Sequence, residues 1–313
     1  MPAKVLFAGR PAIWPVYRET LAAAFDRKGI RAELFDRCDD PATVDYIVYS
    51  PNQALTDFRP FTRLKAVLSL WAGVETIQTN QTLTAPLARM VDAGLTDGMA
   101  EWVLGHVMRY HLGIDRHLFG QDGIWRGADP VPPLARDRAV GILGLGTLGL
   151  ASARLLQAVG FQVSGWSRRP KTASGIRGFS GREGLHQILS SSEILVLLLP
   201  QTAATKNILD TETLGMLPEG AVIINPGRGA LIDDQALLAS LDSGQIGHAT
   251  LDVFRQEPLP ADHPFWTHPR VTVTPHIASE TRPETASDCI AENIRRGQAG
   301  EPFLHLVDRG EGY

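Results

Sequence analysis

Three side chains that could act together on a carbonyl group follow one another in the C-terminal half of the chain. Arg228 lies in Ile-Asn-Pro-Gly-Arg-Gly, Glu257 in Leu-Asp-Val-Phe-Arg-Gln-Glu-Pro, and His276 in Thr-Pro-His-Ile-Ala-Ser. An arginine can hold the carboxylate of a small acid, and a histidine beside a carboxylate can supply a proton near neutral pH. These residue types predict reduction of a 2-oxo acid, in which a proton must accompany a hydride.

A glycine fingerprint precedes these residues. Gly144, Gly146 and Gly149 form Gly-Leu-Gly-Thr-Leu-Gly between a predicted strand at 139–143 and a predicted helix at 147–159. The first glycine permits a tight turn, the second lets the main chain approach a pyrophosphate, and the third lets the helix pack closely on the strand. The strand before it and the helix after it favour a dinucleotide site over an ordinary glycine turn.

The next predicted strand, 162–166, ends at Ser167, Arg168 and Arg169, with Lys171 close behind. A site for NAD usually has an acidic side chain here to hold the ribose diol, and this chain has none. Guanidinium groups suit a 2′-phosphate, so the pattern predicts NADP, with NADPH preferred over NADH. The alternative is a solvated basic loop.

The rest of the chain alternates short apolar runs with helical patterns, which predicts an α/β fold with parallel sheets. Arg228, Glu257 and His276 each follow a predicted strand, and ligands of such sheets bind outside the carboxyl ends of the strands. The predicted strands are 5–8, 31–35, 46–49, 66–69, 139–143, 162–166, 194–199, 221–225, 249–253, 271–274 and a short final one at 303–307.

Two domains are expected for a chain of 313 residues. A long helix is predicted at 99–118 after the cap-like pair Thr96 and Asp97, and it is followed by a proline-rich arm at 120–137. We therefore predict a substrate domain from residues 1–98 plus 280–313, and an NADP-binding Rossmann domain at 99–279. The latter would include a dimerisation helix and arm at 99–137.

Composition excludes several classes of protein. The formal net charge of −4 gives no general reason to expect binding to nucleic acid, and the two cysteines form neither a disulfide framework nor a zinc pattern. No apolar segment reaches the length of a membrane span. We expect a cytoplasmic protein with no membrane partner and no metal site.

Motifs spread over essentially the whole chain resemble the D-isomer-specific 2-hydroxyacid dehydrogenase family. They are the glycine fingerprint, Leu-Leu-Pro200 with Thr205, Asn-Pro-Gly-Arg-Gly, Asp252-Val-Phe-x-x-Glu-Pro and Thr-Pro-His-Ile-Ala. Further motifs are similar to the bacterial glyoxylate/hydroxypyruvate reductase A group of that family. These are Trp71-Ala-Gly-Val, Gly165-Trp-Ser-Arg, the segment from Glu257 to Trp266, and the ending that includes Gly312 and Tyr313.

The resemblance implies a role for each matching residue. Arg228 would bind the substrate and polarise its 2-oxo group, His276 would be the general acid, and Glu257 would favour the protonated form of His276. The substrate carboxylate would meet Trp71, Ala72, Gly73 and Val74 in the other domain, and Asp252 would meet the nicotinamide carboxamide. The remaining expected cofactor contacts are Gly144, Gly146, Thr147, Leu148, Gly149, Ser167, Arg168, Arg169, Pro200, Thr205, Pro226 and Gly227.

The implied fold is a Rossmann cofactor domain inserted in a flavodoxin-like substrate domain, each a doubly wound parallel sheet, in a homodimer. The implied activity is NADPH-dependent reduction of glyoxylate and hydroxypyruvate. One alternative is a dehydrogenase of the same family for a larger 2-oxo acid, or one that uses NAD. Another is a nucleotide-sensing binding protein without turnover. Trp71 stands where many relatives have glycine, and it would either narrow the pocket towards short acids or pack at a hinge.

Overall fold

The computed structural model describes residues 1–50, 55–125 and 131–310. The chain forms two compact units. One combines residues 1–95 with 280–313, and the other is the continuous stretch 96–279.

The unit formed by 1–95 and 280–313 is built on a five-stranded parallel sheet in the order β2-β1-β3-β4-β5. This order is that of flavodoxin-like folds. Its strands are β1 (Ala3–Ala8), β2 (Ala32–Phe35), β3 (Tyr46–Tyr49), β4 (Ala66–Ser69) and β5 (Leu87–Ala88).

The unit formed by 96–279 has a seven-stranded parallel sheet in the order β12-β11-β10-β9-β6-β7-β8. The order reverses between β6 and β9, which is the switch point of a Rossmann sheet. The strands are β6 (Ala139–Leu143), β7 (Gln162–Trp166), β8 (Arg177–Phe179), β9 (Ile194–Leu197), β10 (Ala221–Asn225), β11 (Ile246–Leu251) and β12 (Val271–Val273). The prediction of two doubly wound parallel-sheet domains is confirmed.

Helices cover the sheets and link the strands. Those of the described residues are α1 (Trp14–Arg27), α2 (Ala93–His111), α3 (Ile114–Phe119), α4 (Thr147–Val159), α5 (Gly181–Ser191), α6 (Thr211–Leu214), α7 (Asp234–Ser243) and α8 (Pro283–Ala299). Within that part of the chain, no helix combines the length and the apolar character that crossing a membrane would require.

Successive residues of the central strands enter opposite cores, as side chains of a strand must. In β9, Leu195 and Leu197 belong to one buried cluster, while Ile194 and Val196 belong to the cluster on the other side of the sheet. Both faces of the strand are covered, which explains why its sequence is continuously apolar rather than alternating.

The long helix predicted at 99–118 is wrong at both ends. The Asp92 carboxylate accepts hydrogen bonds from the amides of Gly94 and Leu95, so α2 begins at Ala93, and Thr96 and Asp97 lie inside the helix. At the other end, Gly113 has a φ of 62°, which separates α2 from α3. A single-residue break of this kind leaves little trace in an apolar pattern.

The predicted strand at 303–307 is also wrong. His305 has a φ of 57°, which interrupts an extended chain, and only a single antiparallel bridge joins Leu306 to Ala88. The predicted arm at 120–137 lies partly outside the described residues. Within the remainder, Ala135–Asp137 forms a 3-10 turn that the prediction lacked.

Smaller differences concern the ends of strands. β9 ends at Leu197, two residues before the end of the apolar run at Leu199. β11 ends at Leu251, two residues before the predicted end, and β12 ends one residue early. Boundaries of this kind depend on where the chain turns away from its neighbour.

Candidate active site

Arg228 is positioned by a tight turn at the carboxyl end of β10. The buried Asn225 side chain donates to the Arg228 carbonyl at 3.0 Å and accepts from the Gly227 amide at 3.1 Å. The Arg228 Nη1 donates to the Gly227 carbonyl at 2.6 Å. The Asn225 side chain therefore stabilises the turn through two hydrogen bonds, and this turn fixes the position from which the half-buried Arg228 side chain extends.

Glu257 and His276 form a hydrogen-bonded pair beyond β11 and β12. The Nδ1 of His276 lies 2.7 Å from Oε2 of Glu257, and Oε1 of Glu257 accepts from the Phe254 amide at 2.8 Å. An ionised carboxylate can only accept, so Nδ1 of His276 carries the hydrogen. Nε2 of the same ring is then the nitrogen that can donate to or accept from a substrate.

The charges around this pair favour an ionised glutamate and a protonated histidine. The hydrogen bond to Glu257 raises the pKa of His276 above its ordinary value, against the opposing effect of burial. Burial would raise the pKa of Glu257, but the His276 hydrogen bond and the Phe254 amide lower it overall. Arg228 is near enough to act on both groups, opposing the charge on His276 and stabilising that on Glu257.

Asp252 holds the segment that carries His276. Its carboxylate is 0 % exposed and accepts from the Thr274 hydroxyl at 2.7 Å, the Ile277 amide at 2.9 Å and the Ala278 amide at 3.0 Å. The His276 amide donates to the Asp252 main-chain carbonyl at 2.8 Å. His276 itself has a φ of 56°, a conformation that these contacts maintain. The structure thus shows Asp252 supporting the histidine, while its predicted contact with a nicotinamide stays a prediction.

The glycine loop joins the end of β6 to the start of α4. Gly144 has a φ of 111°, and a β-carbon on it would lie 2.5 Å from the Leu198 carbonyl oxygen. A β-carbon on Gly149 would overlap the Gly144 carbonyl, whereas Gly146 faces open space with no atom within 4 Å. Gly146 and Thr147 are exposed at the N-terminus of α4. A closely packed turn with one open side at a helix start fits the pyrophosphate of a dinucleotide.

The predicted 2′-phosphate residues lie at the end of β7. The buried Ser167 hydroxyl donates to the Arg169 carbonyl at 2.7 Å and so shapes the turn, while the Arg168 and Arg169 side chains are exposed. The Lys171 Nζ donates to the Leu145 carbonyl of the glycine loop at 2.7 Å. The structure therefore gathers three cations beside the loop that is expected to hold the cofactor.

Pro200 and Thr205, both predicted cofactor residues, are joined by a hydrogen bond beyond β9. The Thr205 hydroxyl donates to the Pro200 carbonyl at 2.7 Å and accepts from the Thr202 amide at 2.8 Å. Leu148 is partly buried in α4, and Pro226 and Gly227 are buried in the turn before Arg228. All of these predicted residues lie at the carboxyl edge of the seven-stranded sheet.

The four predicted substrate residues after β4 belong to the other unit, 1–95 with 280–313. The Ser69 hydroxyl accepts from the Trp71 amide and donates to the Trp71 carbonyl, both at 3.0 Å. Trp71 is 36 % exposed, Ala72 and Gly73 are partly exposed, and Val74 is buried. Ser69 thus fixes the start of this loop.

Sequence reasoning missed one residue that shapes the site. Asn225 lay within a quoted motif, and its place directly before Pro-Gly-Arg was a signal that its amide could close the turn. In the described part of the chain, no group of three or more His, Cys, Asp or Glu side chains is arranged to hold a metal ion.

Comparison with known proteins places this geometry in one family. The family profile described as D-isomer specific 2-hydroxyacid dehydrogenase, NAD binding domain, matches residues 103–278. A glyoxylate/hydroxypyruvate reductase A from Yersinia enterocolitica is 41 % identical over 287 residues, covering 88 % of this chain and 90 % of that protein.

Two solved structures extend the match to the whole chain. A D-isomer specific 2-hydroxyacid dehydrogenase from Xanthobacter autotrophicus Py2, in complex with NADPH and MES, has a TM-score of 0.92 and 39 % identity, with 100 % of both chains covered. An NADPH-dependent glyoxylate/hydroxypyruvate reductase from Sinorhizobium meliloti, in complex with NADP and sulfate, has a TM-score of 0.87 and 34 % identity. It covers 99 % of this chain and 100 % of its own. Sequence, fold and site agree, and the chain belongs to the D-isomer-specific 2-hydroxyacid dehydrogenase family.

Proposed function

We propose that this protein reduces small 2-oxo acids with NADPH, converting glyoxylate to glycolate and hydroxypyruvate to D-glycerate. The observation that carries the proposal is the Glu257–His276 pair at 2.7 Å, with Arg228 close enough to influence both charges. The reductase from Yersinia enterocolitica and the NADP-bound reductase from Sinorhizobium meliloti support the choice of substrates and cofactor.

Each side chain has a distinct task in this reaction. NADPH, when bound, supplies the hydride. Arg228 binds the substrate anion and stabilises the negative charge that develops on the carbonyl oxygen. His276 holds a proton on Nε2 for that oxygen, and Glu257 keeps the ring charged and oriented through Nδ1. Asp252 maintains the main-chain conformation that presents the ring.

The cofactor proposal rests on the turns that follow β6 and β7 at the carboxyl edge of the sheet. The turn from Gly144 to Gly149 would hold the pyrophosphate against the start of α4, and Arg168 and Arg169 would meet the 2′-phosphate. That the amides of Ala72, Gly73 and Val74 bind the substrate carboxylate stays a prediction, since these residues belong to the other unit.

We also propose a homodimer that works in the cytoplasm. A group of apolar side chains around α3 and the arm is exposed, and such a patch favours burial against a second copy of the chain. Its described members are Leu112, Leu118, Phe119, Ile124, Trp125, Val131 and Leu134. The free cysteines, Cys38 and Cys289, suit a reducing compartment.

A rate panel tests the proposed function. Glyoxylate, hydroxypyruvate, pyruvate and phenylpyruvate are each assayed with NADPH and with NADH, and kcat/KM is compared. The proposal expects the highest values for glyoxylate and hydroxypyruvate with NADPH. A maximum for phenylpyruvate would indicate a dehydrogenase of larger acids. Nucleotide binding without turnover of any acid would indicate a sensing protein instead.

A further inference from the structure

Arg255 lies two residues before Glu257, in the segment that follows β11, and its side chain folds back onto the protein. Its Nη2 donates to the Asn207 side-chain oxygen and to the Ile232 carbonyl, and its Nε lies 3.3 Å from Oδ1 of Asp234. The side chain is 31 % exposed, so these contacts cover it in part. One planar guanidinium thus contacts three separate places in the chain.

These acceptors are themselves firmly placed. The Asn207 amide donates to the Ala230 carbonyl at 2.8 Å, and the Asn207 side chain donates to Asp233 at 3.2 Å. Asp233 caps α7 by accepting from the Ala236 amide at 3.0 Å, and Asp234 is the first residue of that helix. Arg255 therefore joins its own segment to the chain that leads from Arg228 into α7.

The segment that Arg255 fastens is the one that presents Glu257. Residues 255–258 are exposed at the surface, so little burial holds them in place. Phe254, directly before Arg255, donates its amide to the Glu257 carboxylate. A shift of this segment would move the carboxylate away from Nδ1 of His276.

We propose that Arg255 is a positioning residue, which holds the 254–257 segment against Asn207, Ile232 and Asp234 and thereby keeps the Glu257 carboxylate on His276. This inference rests on the proposed roles of Glu257 and His276. Arg255 touches neither of those two side chains in the contacts described above and acts through the main chain of its own segment.

The sign of a pH shift separates positioning from simple charge. Among the described residues, Glu257, Arg228 and Asp252 are charged groups that act on His276. If Arg255 acted only as one more nearby cation, its removal would raise the pKa of His276. If Arg255 positions Glu257, its removal weakens the carboxylate contact and lowers that pKa. The two explanations move the alkaline limb of activity in opposite directions.

The experiment measures kcat against pH for reduction of glyoxylate by NADPH in four variants. Arg255→Ala removes the side chain, and Arg255→Lys keeps the charge but lacks the planar fork. Glu257→Gln serves as the reference for complete loss of the carboxylate. Arg270→Ala is the matched control, because Arg270 is another exposed arginine of the same unit and donates to the Leu241 carbonyl at 2.9 Å.

We expect the alkaline limb to move down by about 0.5 pH unit or more in both Arg255 variants, in the direction of Glu257→Gln. We expect kcat to fall about tenfold because the pair is misaligned. The KM for NADPH and the profile of Arg270→Ala should stay at wild-type values. Thermal unfolding of each variant checks the fold, and Arg255→Lys carries the test if Arg255→Ala does not fold.

Two outcomes would overturn the inference, and they are distinguishable. If Glu257→Gln moves the limb but both Arg255 variants leave it in place or raise it, positioning by Arg255 is wrong and the proposed function stands. If Glu257→Gln itself leaves the limb unmoved, the proposed pairing of Glu257 with His276 is wrong, and the role of Arg255 falls with it.

Discussion

Gly229 lies against the main chain at Phe254, so closely that a β-carbon on Gly229 would overlap the Phe254 carbonyl group. Gly229 directly follows Arg228, and Phe254 begins the segment that ends at Glu257. Two turns that carry two of the three candidate catalytic side chains are therefore pressed together through their backbones. This contact limits how far the two turns can move relative to one another.

Replacement of Gly229 by alanine should consequently damage both stability and activity. The new methyl group must displace main-chain atoms, which costs about 1–3 kcal/mol of unfolding free energy, as overpacking usually does. Thermal unfolding and kcat/KM for glyoxylate measure the two effects. Gly215→Ala is the control, since its nearest contacts would be at an ordinary 3.4 Å and its φ is −69°. If both variants had the same unfolding temperature and the same kcat/KM, the close contact between Gly229 and Phe254 would be contradicted.

Arg228→Ala should lose most of kcat/KM while the protein remains folded. Loss of one preorganised charge at a developing oxyanion costs roughly 3 kcal/mol, or about a hundredfold in rate. Steady-state kinetics with glyoxylate, together with thermal unfolding, provide the measurement. Arg270→Ala, which removes an exposed arginine elsewhere in the unit, should keep wild-type kinetics. Full activity of the Arg228→Ala variant would show that Arg228 does not bind the substrate.

Reduction should fail as the pH rises through the pKa of His276. Only the protonated ring can donate, so activity is present below that pKa and is lost above it. The Glu257 hydrogen bond raises the pKa, so Glu257→Gln should move the alkaline limb of kcat/KM to lower pH. Glu212→Gln, at an exposed carboxylate in α6, should leave the limb where it is. A limb unmoved by Glu257→Gln would show that another group sets the profile.

The cofactor preference should favour NADPH over NADH by about tenfold to a hundredfold in kcat/KM, through charge-assisted contacts at Arg168 and Arg169. Combining Ser167→Asp with Arg168→Ala should reverse the order, because the new carboxylate accepts from a ribose diol and repels a phosphate. Arg182→Ala, an exposed arginine of α5, is the matched control. Equal kcat/KM for both cofactors in the wild type would leave the basic turn as a solvated loop.

The chain should form a dimer through the apolar group around α3. Phe119 is 80 % exposed and Trp125 is 98 % exposed, so burial against a second copy would remove much apolar surface from water. Light scattering at micromolar concentration should give twice the chain mass, and Phe119→Glu should lower it. Val16→Glu, at another exposed apolar side chain, should not. A monomeric wild type would count against the dimer.

Most of the strands and helices whose bounds depend on the local sequence pattern were predicted correctly. The bounds of six elements agree with the predicted ranges, since most are buried apolar runs and the helix among them lies between glycines. These elements are β3, β4, β6, β7, β10 and α4. The short edge strands β5 and β8 were missed because they carry too few residues for a period to appear. The split between α2 and α3 was missed because one left-handed glycine decides it.

The same distinction between local sequence and folded contacts applies to the residues of the candidate site. Arg228, Glu257 and His276 could be found because each lies a few residues beyond a strand of one parallel sheet. The residues that hold these three side chains in place could not be predicted, because their contacts join segments that are distant in the sequence. Asp252 was predicted from the resemblance to meet the cofactor, but its hydrogen bonds to the segment around His276 were not foreseen. The three partners of Arg255 are separated from it by 48, 23 and 21 residues, so no local motif contains them.

The unit built from both ends of the chain has a consequence for the order of folding during synthesis. Its helices α1 and α8 are joined by Arg27 and Asp288 at 2.6 Å and by Thr20 and Ser287 at 2.8 Å. α8 leaves the ribosome only after the whole stretch 96–279 has been made. The continuous unit can therefore fold first, as domains commonly do during translation. Until α8 is made, the face of α1 that packs against it stays uncovered. A premature stop before Pro283 would therefore release a chain whose continuous unit can fold and whose other unit lacks α8.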